Sequence, residues 1–242
     1  MSERVERIGN SVIVYDDALV GQMSERVFVV RDSDSDGDGA RGEHATGRGR
    51  VQPVTIDGRN CILRHYYRGG LVRHLSRDSF VWTGQDTTRS FHEYRLLAAL
   101  RVAGLPVPAP VAARYVRGGA LYTADLITET LPNVEPLSAA LRGGALSSAR
   151  WHEIGMLVGR FHRSNVFHAD LNAHNIQVGN DGDLFLLDFD RGRMMPGPGA
   201  WSERNLQRLR RSLRKISRID GAHFAESDWE LLLQGYRAAS AR

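Results

Sequence analysis

The chain has 242 residues, 42% of them apolar and 25% charged, a composition that supports a sizeable core and argues against wholesale disorder. Its 32 basic and 28 acidic residues leave a net charge of +4, too mild to imply a nucleic acid or a membrane by itself. Cys61 is the only cysteine, which excludes an intramolecular disulfide and a cysteine-based zinc site and fits a reducing compartment.

Only Lys215 is a lysine; the other 31 basic residues are arginine. Any chemistry that needs a lysine upstream of it must therefore use arginine. The N-terminus, MSERVERIGNSV, is charged and has no apolar stretch, unlike a secretory signal. No run approaches the ~18 apolar residues that span a bilayer, so a soluble or peripheral protein of the cytosol is expected.

Residues 1–30 read as short β segments, such as 11–15 and 27–30. Residues 31–50 are rich in Asp, Ser, Gly and Arg with little to bury, and read as a loop. A strand is expected over 61–67, followed by a basic connection through Arg73 and Arg77. Residues 88–103 read as a helix: Ser90 and Glu93 have capping-box spacing, and Phe91, Tyr94, Leu97 and Leu100 recur every three residues. Gly104 and Pro106 stop it. A strand is expected over 121–130, and Pro132 and Pro136 bracket a connector between two lobes.

A second helix is expected over 148–164, with Trp151, Ile154, Val158 and Phe161 on one face. HADLNAHN follows at 168–175. Two apolar runs, 176–178 and 184–187, then flank an Asn-Asp-Gly turn, a strong hairpin signal. The chain after Asp188 is arginine-rich and reads as helical. Ser227 and Glu230 suggest a capping box opening a last helix.

His168-x-Asp170-Leu171-x-x-x-Asn175, with Asp188-Phe189-Asp190 thirteen positions on, carries the chemistry. If Val178 pairs with Leu184, then Ile176 pairs with Leu186, and Asn175 and Asp188 lie at the same open end of the hairpin. Opposed residues there have Cβ atoms only ~4.5–5.5 Å apart. An amide oxygen and a carboxylate so placed suit Mg²⁺, which takes hard oxygen ligands and completes its shell with water and phosphate. Asp170 then faces the acceptor hydroxyl as base or orienter. This is the layout of a protein-kinase-like catalytic loop and metal motif. As single residues the same groups are also ordinary turn formers and a strand-end carboxylate; their joint spacing is what the kinase reading explains.

The N-terminal half should supply a phosphate clamp. Gly47 and Gly49 open a Gly-rich turn before residues 54–56, or else simply end the acidic loop. Arg64 ends its strand where a kinase's phosphate-binding lysine would stand, and its planar fork can hold two phosphate oxygens; it could equally be an exposed strand-end cation. Glu93 is either its orienting partner or only the acid of the capping box. His65, Tyr66, Tyr67, Arg68 and Arg73 either touch the acceptor or surface a hairpin.

Together GRGR (47–50), CILRHYYRGGLVRHL (61–75), FHEYRLL (91–97), HADLNAHNIQV (168–178) and LLDFDRGRM (186–194) resemble the bacterial Kdo kinases, the 3-deoxy-D-manno-octulosonic acid kinases of lipopolysaccharide synthesis. The LRHYYRGG and DFDRGR stretches are the specific part. The resemblance implies an α+β, two-lobed protein-kinase-like fold, with a β-rich N-lobe (residues 1–131) and a small, mostly helical C-lobe (132–242), and ATP between them. It implies transfer of the ATP γ-phosphate to the 4-hydroxyl of Kdo on a lipid A precursor, with Mg²⁺, at the cytoplasmic face of the bacterial inner membrane. Carried over by position, Asp170 is the catalytic aspartate, Asn175 and Asp188 are metal ligands, Gly47 and Gly49 form the nucleotide loop, and Arg64 and Glu93 are the clamp pair.

Departures from protein kinases narrow the substrate. Ala169 replaces the arginine that reads a phosphorylated activation loop, and Asp190 stands where glycine normally ends the metal motif. Only 54 residues follow Asp188, with no Ala-Pro-Glu segment, which disfavours a protein substrate. Nucleic acid is not an expected partner either. Alternatives are a heptose or aminoglycoside-type sugar kinase of the same fold, a nucleotide-binding pseudokinase, and a basic nucleic-acid binder.

Asp32, Asp34, Asp36, Gly37 and Glu43 match EF-hand calcium-loop spacing. Such a loop needs a helix on each side, whereas VFVV precedes it, GEHATGRG follows, and Gly39 takes the place of an apolar β residue. It reads as a solvated acidic loop. Residues 204–218 place Leu206, Leu209, Leu213 and Ile216 on one side and seven basic residues elsewhere. The leucines read as core, and the arginines as facing an anionic membrane surface or substrate phosphates.

Overall fold

The computed structural model describes residues 2–29, 49–67, 78–180 and 182–240. In chain order the elements are β1 (Glu3–Ile8), β2 (Ser11–Asp16), β3 (Gly49–Ile56), β4 (Arg59–Tyr66), β5 (Phe80–Val81), α1 (Arg89–Val102), β6 (Pro110–Gly118) and β7 (Leu121–Glu129). They continue as β8 (Val134–Pro136), α2 (Leu137–Gly143), α3 (Ser148–Arg163), β9 (Val166–Phe167), β10 (Ile176–Gly179), β11 (Leu184–Leu186), β12 (Arg193–Met194), α4 (Ala200–Asp220) and α5 (Glu226–Ser240). The chain divides into two compact units, Met1–Ala98 with Ala109–Thr130, and Ala99–Pro108 with Leu131–Arg242.

The first unit is built on an antiparallel sheet ordered β1-β2-β6-β7-β4-β3, with β5 added to β7. Alternation along β4 explains its two faces. Cys61 and Leu63 point into a cluster with Ile13, Tyr15, Met23, Phe28, Ala112 and Ile127, whereas Arg64 and Tyr66 point to the other face. Phe91, Tyr94 and Leu97 of α1 are all buried, and Phe91 meets Tyr115 of β6 edge-on at 5.2 Å.

The structure departs from three local expectations. Residues 27–29 of the strand expected over 27–30 are not strand, and residue 30 lies outside the described residues: Ser24 Oγ accepts from the Arg26 N–H and caps a 3-10 turn over Glu25–Phe28, which drives Phe28 into the cluster. Ser90 and Glu93 form no capping box, because Ser90 Oγ donates to the Arg114 carbonyl instead (2.9 Å). The last helix begins at Glu226 rather than after Ser227, with Asp228 accepting from the Ala225 N–H (2.8 Å). The acidic stretch at Asp32–Glu43, with Arg68, Arg73 and Arg77, lies outside the described residues.

The second unit holds a sheet ordered β11-β10-β8, the small β12-β9 pair, and α2–α5. The connector between Pro132 and Pro136 therefore contains a strand, which pairs with β10. Gly104, at φ 70°, ends α1 with a Schellman-type bond from the Leu105 N–H to the Leu100 carbonyl (2.9 Å). Leu206, Leu209, Leu213 and Ile216 of α4 are buried as core. No helix among the described residues is long and apolar enough to cross a membrane.

Helices α3 and α5 approach so closely that three glycines are required. A Cβ on Gly155 would lie 1.9 Å from the Leu232 carbonyl oxygen, one on Gly159 2.8 Å from that of Tyr236, and one on Gly235 1.9 Å from that of His152. Backbone on both sides leaves no flexible side chain to give way. Gly155→Ala or Gly235→Ala should therefore destabilise the fold by at least ~2 kcal/mol, as overpacking does, whereas Gly143→Ala, with open space around its Cβ, should be near neutral. Thermal unfolding of the three variants checks this.

Candidate active site

In the second unit, the loop after β9 is held by side chains that bind backbone. The His168 N–H donates to Asn205 Oδ1 (3.2 Å), and its carbonyl accepts from Asn205 Nδ2 (2.9 Å). Asn205 is a buried polar residue on the apolar side of α4. The His168 ring Nε2 donates to the Leu187 carbonyl (2.8 Å), while Nδ1 accepts from the Asp170 N–H (3.2 Å). A carbonyl can only accept and an N–H only donate, so the ring is held as the neutral Nε2–H tautomer.

Asn172 shapes the next turn. Its Oδ1 accepts from the N–H groups of His174 (2.8 Å) and Asn175 (3.2 Å), and its Nδ2 donates to the Asp170 carbonyl (3.0 Å), an Asx-type turn. Asn175 Nδ2 donates to the same carbonyl (2.9 Å), which orients the amide and presents Oδ1 as its remaining acceptor. The Ala173 N–H donates to Ser212 Oγ (3.2 Å) of α4, and its carbonyl accepts from the Ser138 N–H (3.1 Å) of α2. The Asp170 side chain is exposed, with Oδ1 3.3 Å from Arg208 Nη1.

The hairpin has the register expected from the sequence: Val178 opposes Leu184 and Ile176 opposes Leu186. The Leu187 N–H donates to the Asn175 carbonyl (2.8 Å), so the pairing runs on to Asn175. Asp188, the next residue, is exposed and adopts φ 63°, a left-handed conformation that aspartate tolerates better than most residues. Phe189 is fully buried, stacked on Phe161 (5.7 Å) and edge-on to His168 (4.7 Å). Burial of that ring directs the chain inward immediately after Asp188. Asn175 and Asp188 thus lie at one end of the hairpin, and an amide oxygen with a carboxylate is the donor chemistry that Mg²⁺ takes.

Arg150 of α3 fixes the opposite end. Its guanidinium donates to the carbonyls of Gly182 (2.6 Å), Gly179 (2.8 Å) and Asp183 (3.0 Å). Asp181 of that turn lies outside the described residues.

In the first unit, Arg64 and Glu93 are brought together. Arg64 Nη2 donates to Glu93 Oε2 and to the Tyr66 hydroxyl (3.1 Å), and the Tyr66 hydroxyl donates to Glu93 Oε2 (2.6 Å). Glu93 is 1% exposed. Burial first, and then the Glu93 carboxylate, push the Tyr66 phenol well above its ordinary value, which keeps it protonated as a donor. Arg64 is therefore not an exposed strand-end cation, and Glu93 is not spent on a capping box. Gly49 is the first residue of β3, opposite Tyr66; Gly47 lies outside the described residues.

The next residue along β4 starts a ladder of charges. His65 opposes Asp125 of β7, which opposes Arg114 of β6. Fully buried Asp125 contacts His65 Nδ1 at 2.7 Å and Arg114 Nη2 at 2.8 Å. His65 and Tyr66 are thus parts of the unit's packing, not the surface of a hairpin.

These two sites, a strand cation held by a helix carboxylate and an HxDxxxxN loop running into a hairpin that ends in Asp, define a protein-kinase-like enzyme. The chain belongs to the Lipopolysaccharide kinase (Kdo/WaaP) family, whose family model matches residues 39–236. It is thus a kinase, and its acceptor group is an alcohol.

Among its relatives is a 3-deoxy-D-manno-octulosonic acid kinase of Stenotrophomonas maltophilia (strain K279a), 44% identical over 194 residues and covering 80% of this chain and 77% of the relative. The enzyme of that name from Actinobacillus succinogenes is 44% identical over 202 residues, covering 80% and 83%. That of Xanthomonas oryzae pv. oryzae (strain PXO99A) is 40% identical over 236 residues, covering 97% and 92%. A solved structure, "WaaP in complex with acyl carrier protein", shares the fold with a TM-score of 0.55 at 18% identity, covering 80% of this chain and 76% of that one.

Sequence reading missed Asn205, Ser212, Ser138 and Arg150. Only Asn205 left a signal, as a polar residue within an apolar helical stripe. Asn205→Ala removes the hydrogen bonds to the buried N–H and carbonyl of His168, and should cost about 2–3 kcal/mol and lower turnover. Gln207→Ala, on the outer side of α4, should change stability by less than ~0.5 kcal/mol.

His65 supplies a pH signature. Burial disfavours its charge, but the hydrogen bond and charge of Asp125 and the charge of Asp78 outweigh this, and the imidazole titrates above its ordinary value. A raised folded-state value means that its stabilising contribution is full below about pH 6.5, and is lost as pH rises through the folded value. His162 acts in the other window. Burial lowers it to about 4, so stability falls as pH drops from about 6.5 towards 4. Thermal melts across pH should show both slopes, with His65→Gln removing only the loss on the alkaline side.

Proposed function

We propose that this enzyme transfers the γ-phosphoryl group of ATP to the 4-hydroxyl of Kdo on a lipid A precursor, at the cytoplasmic face of the inner membrane. The observation that carries the chemistry is the joint placement of Asp170, Asn175 and Asp188 by one loop and one hairpin register. The acceptor is supported by the names of the relatives, 40–44% identical over most of this chain.

Asp170 is assigned to the acceptor hydroxyl, which it orients for in-line attack as an exposed carboxylate on a rigid loop. Asn175 and Asp188 are the residues that would hold Mg²⁺, which neutralises charge on the nucleotide phosphates when bound. Arg64 is assigned to those phosphates. Glu93 and Tyr66 hold its guanidinium from one side, so the fork does not have to be ordered when substrate binds. Gly47 and Gly49 are assigned to the nucleotide loop. Because phosphoryl transfer proceeds through a loose transition state, positioning and charge neutralisation account for most of the catalysis. The anionic surface of the membrane is proposed as the place where the lipid-linked acceptor is met.

The test is incubation with ATP, Mg²⁺ and a Kdo-bearing lipid A precursor, read by mass spectrometry for one added phosphate, with heptose and aminoglycoside acceptors in parallel. Phosphate on the heptose or aminoglycoside and none on Kdo overturns the acceptor assignment. Asp170→Ala should lower kcat by about 10²- to 10⁴-fold with ATP binding retained. Asn175→Ala and Asp188→Asn should raise the Mg²⁺ concentration needed for half-maximal rate, and Arg64→Ala should act chiefly on the KM for ATP.

A further inference from the structure

The cations of α4 fall into two sets. Arg210 and Arg214 are committed to Glu226, at 2.5 and 2.6 Å, and Arg210 also lies over the Trp229 ring. Arg204, Arg208, Arg211 and Lys215 follow one another at intervals of four, three and four residues, which places them on one face of the helix. All four are exposed. Among the described residues this stripe meets one carboxylate, that of Asp170, through Arg208.

That contact does not account for the stripe by stability. Its side chains are 48% and 60% exposed, and a pair so open to solvent adds little to a fold. What it does is place a guanidinium beside the group assigned to the acceptor hydroxyl. One N–H of Arg208 is directed to Asp170; a guanidinium has five, arranged as a planar fork that matches a carboxylate with two parallel hydrogen bonds. With Asp170 Oδ1 and Arg208 Nη1 3.3 Å apart, one acidic sugar can present its hydroxyl to the first and its acid group to the second. A neutral sugar offers no carboxylate to the N–H groups of Arg208 that are not directed to Asp170.

We propose that Arg208 binds the carboxylate of the sugar acceptor and thereby selects acidic over neutral sugars, with Arg204 and Arg211 flanking it for further anionic groups of a lipid-linked acceptor. This rests on the assignment of Asp170 to the acceptor hydroxyl.

The experiment compares a Kdo glycoside with the same glycoside carrying a primary amide in place of its carboxylate, on wild type, Arg208→Gln, Arg208→Lys and Arg214→Gln. For wild type the amide should raise the acceptor KM by about 10- to 100-fold, the range of a hydrogen bond to a charged group. Arg208→Gln should raise KM for the acid by a similar factor, leave KM for ATP unchanged, and reduce acid-over-amide discrimination to near unity. Arg208→Lys should keep part of the discrimination, since it keeps the charge but loses the fork. Arg214→Gln removes one charge from α4 without touching Asp170 and should keep all of it.

Undiminished discrimination in Arg208→Gln, or a loss confined to KM for ATP, overturns the inference. If Arg208→Gln fails to fold by circular dichroism, the lysine variant decides: full discrimination there overturns it, and partial loss supports it. Wild type that phosphorylates acid and amide equally well defeats this inference alone. Wild type that phosphorylates neither, nor the lipid-linked Kdo, defeats the functional assignment beneath it.

Discussion

The peptide groups of Leu187 are the point on which the candidate site of the second unit depends. Its N–H closes the hairpin onto the Asn175 carbonyl, and its own carbonyl fixes the His168 ring. That ring then accepts from the Asp170 N–H. His168, Asp170 and Asn175 are thereby tied to one residue's backbone. A slip of one residue in the hairpin would turn every side chain of β11 to the opposite face. It would also take the Leu187 groups away from both partners, and the site would disperse even if each residue kept its identity.

The scarcity of lysine is used in a consistent way. Glu93 and Asp125 are almost fully buried carboxylates, each met by an arginine, Arg64 and Arg114. A buried carboxylate is costly unless its charge and lone pairs are matched. Arginine's rigid fork can meet more than one acceptor at fixed angles. Arg64 reaches both Glu93 and the Tyr66 hydroxyl, and Arg150 gathers three carbonyls of the hairpin turn. A lysine ammonium is a single point of charge and cannot hold these geometries in the same way.

Legibility varied with the range of the interaction. The hairpin was readable because apolar alternation and an Asn-Asp-Gly turn set its register locally, and the Asn175–Asp188 juxtaposition followed from the register by counting. The helix over residues 88–103 was readable from the spacing of Phe91, Tyr94, Leu97 and Leu100, all of them buried. The two capping boxes misled because a polar side chain near a helix start has other partners within reach. Ser90 chose the Arg114 carbonyl, and Glu93 chose Arg64 and Tyr66. At the last helix it is Asp228, not Ser227, that binds the backbone of the first turn. Residues 27–30 have strand-like composition, yet the Ser24 cap and the burial of Phe28 favour a tight helical turn over Glu25–Phe28.

By itself the sequence determined which chemistry is possible: the order and spacing of His168, Asp170, Asn175 and Asp188, the hairpin that aligns the last two, and the replacement of lysine by arginine. These are properties of neighbouring residues and of periodicity, and they need no knowledge of the rest of the chain. Only the tertiary structure decided that Asn205 and Ser212 of α4 brace the loop, that Arg150 clamps the turn, and that Arg208 stands at Asp170. Such contacts join residues about thirty to forty positions apart, and a one-dimensional pattern carries no information about which helix face a distant loop will meet once the core has closed.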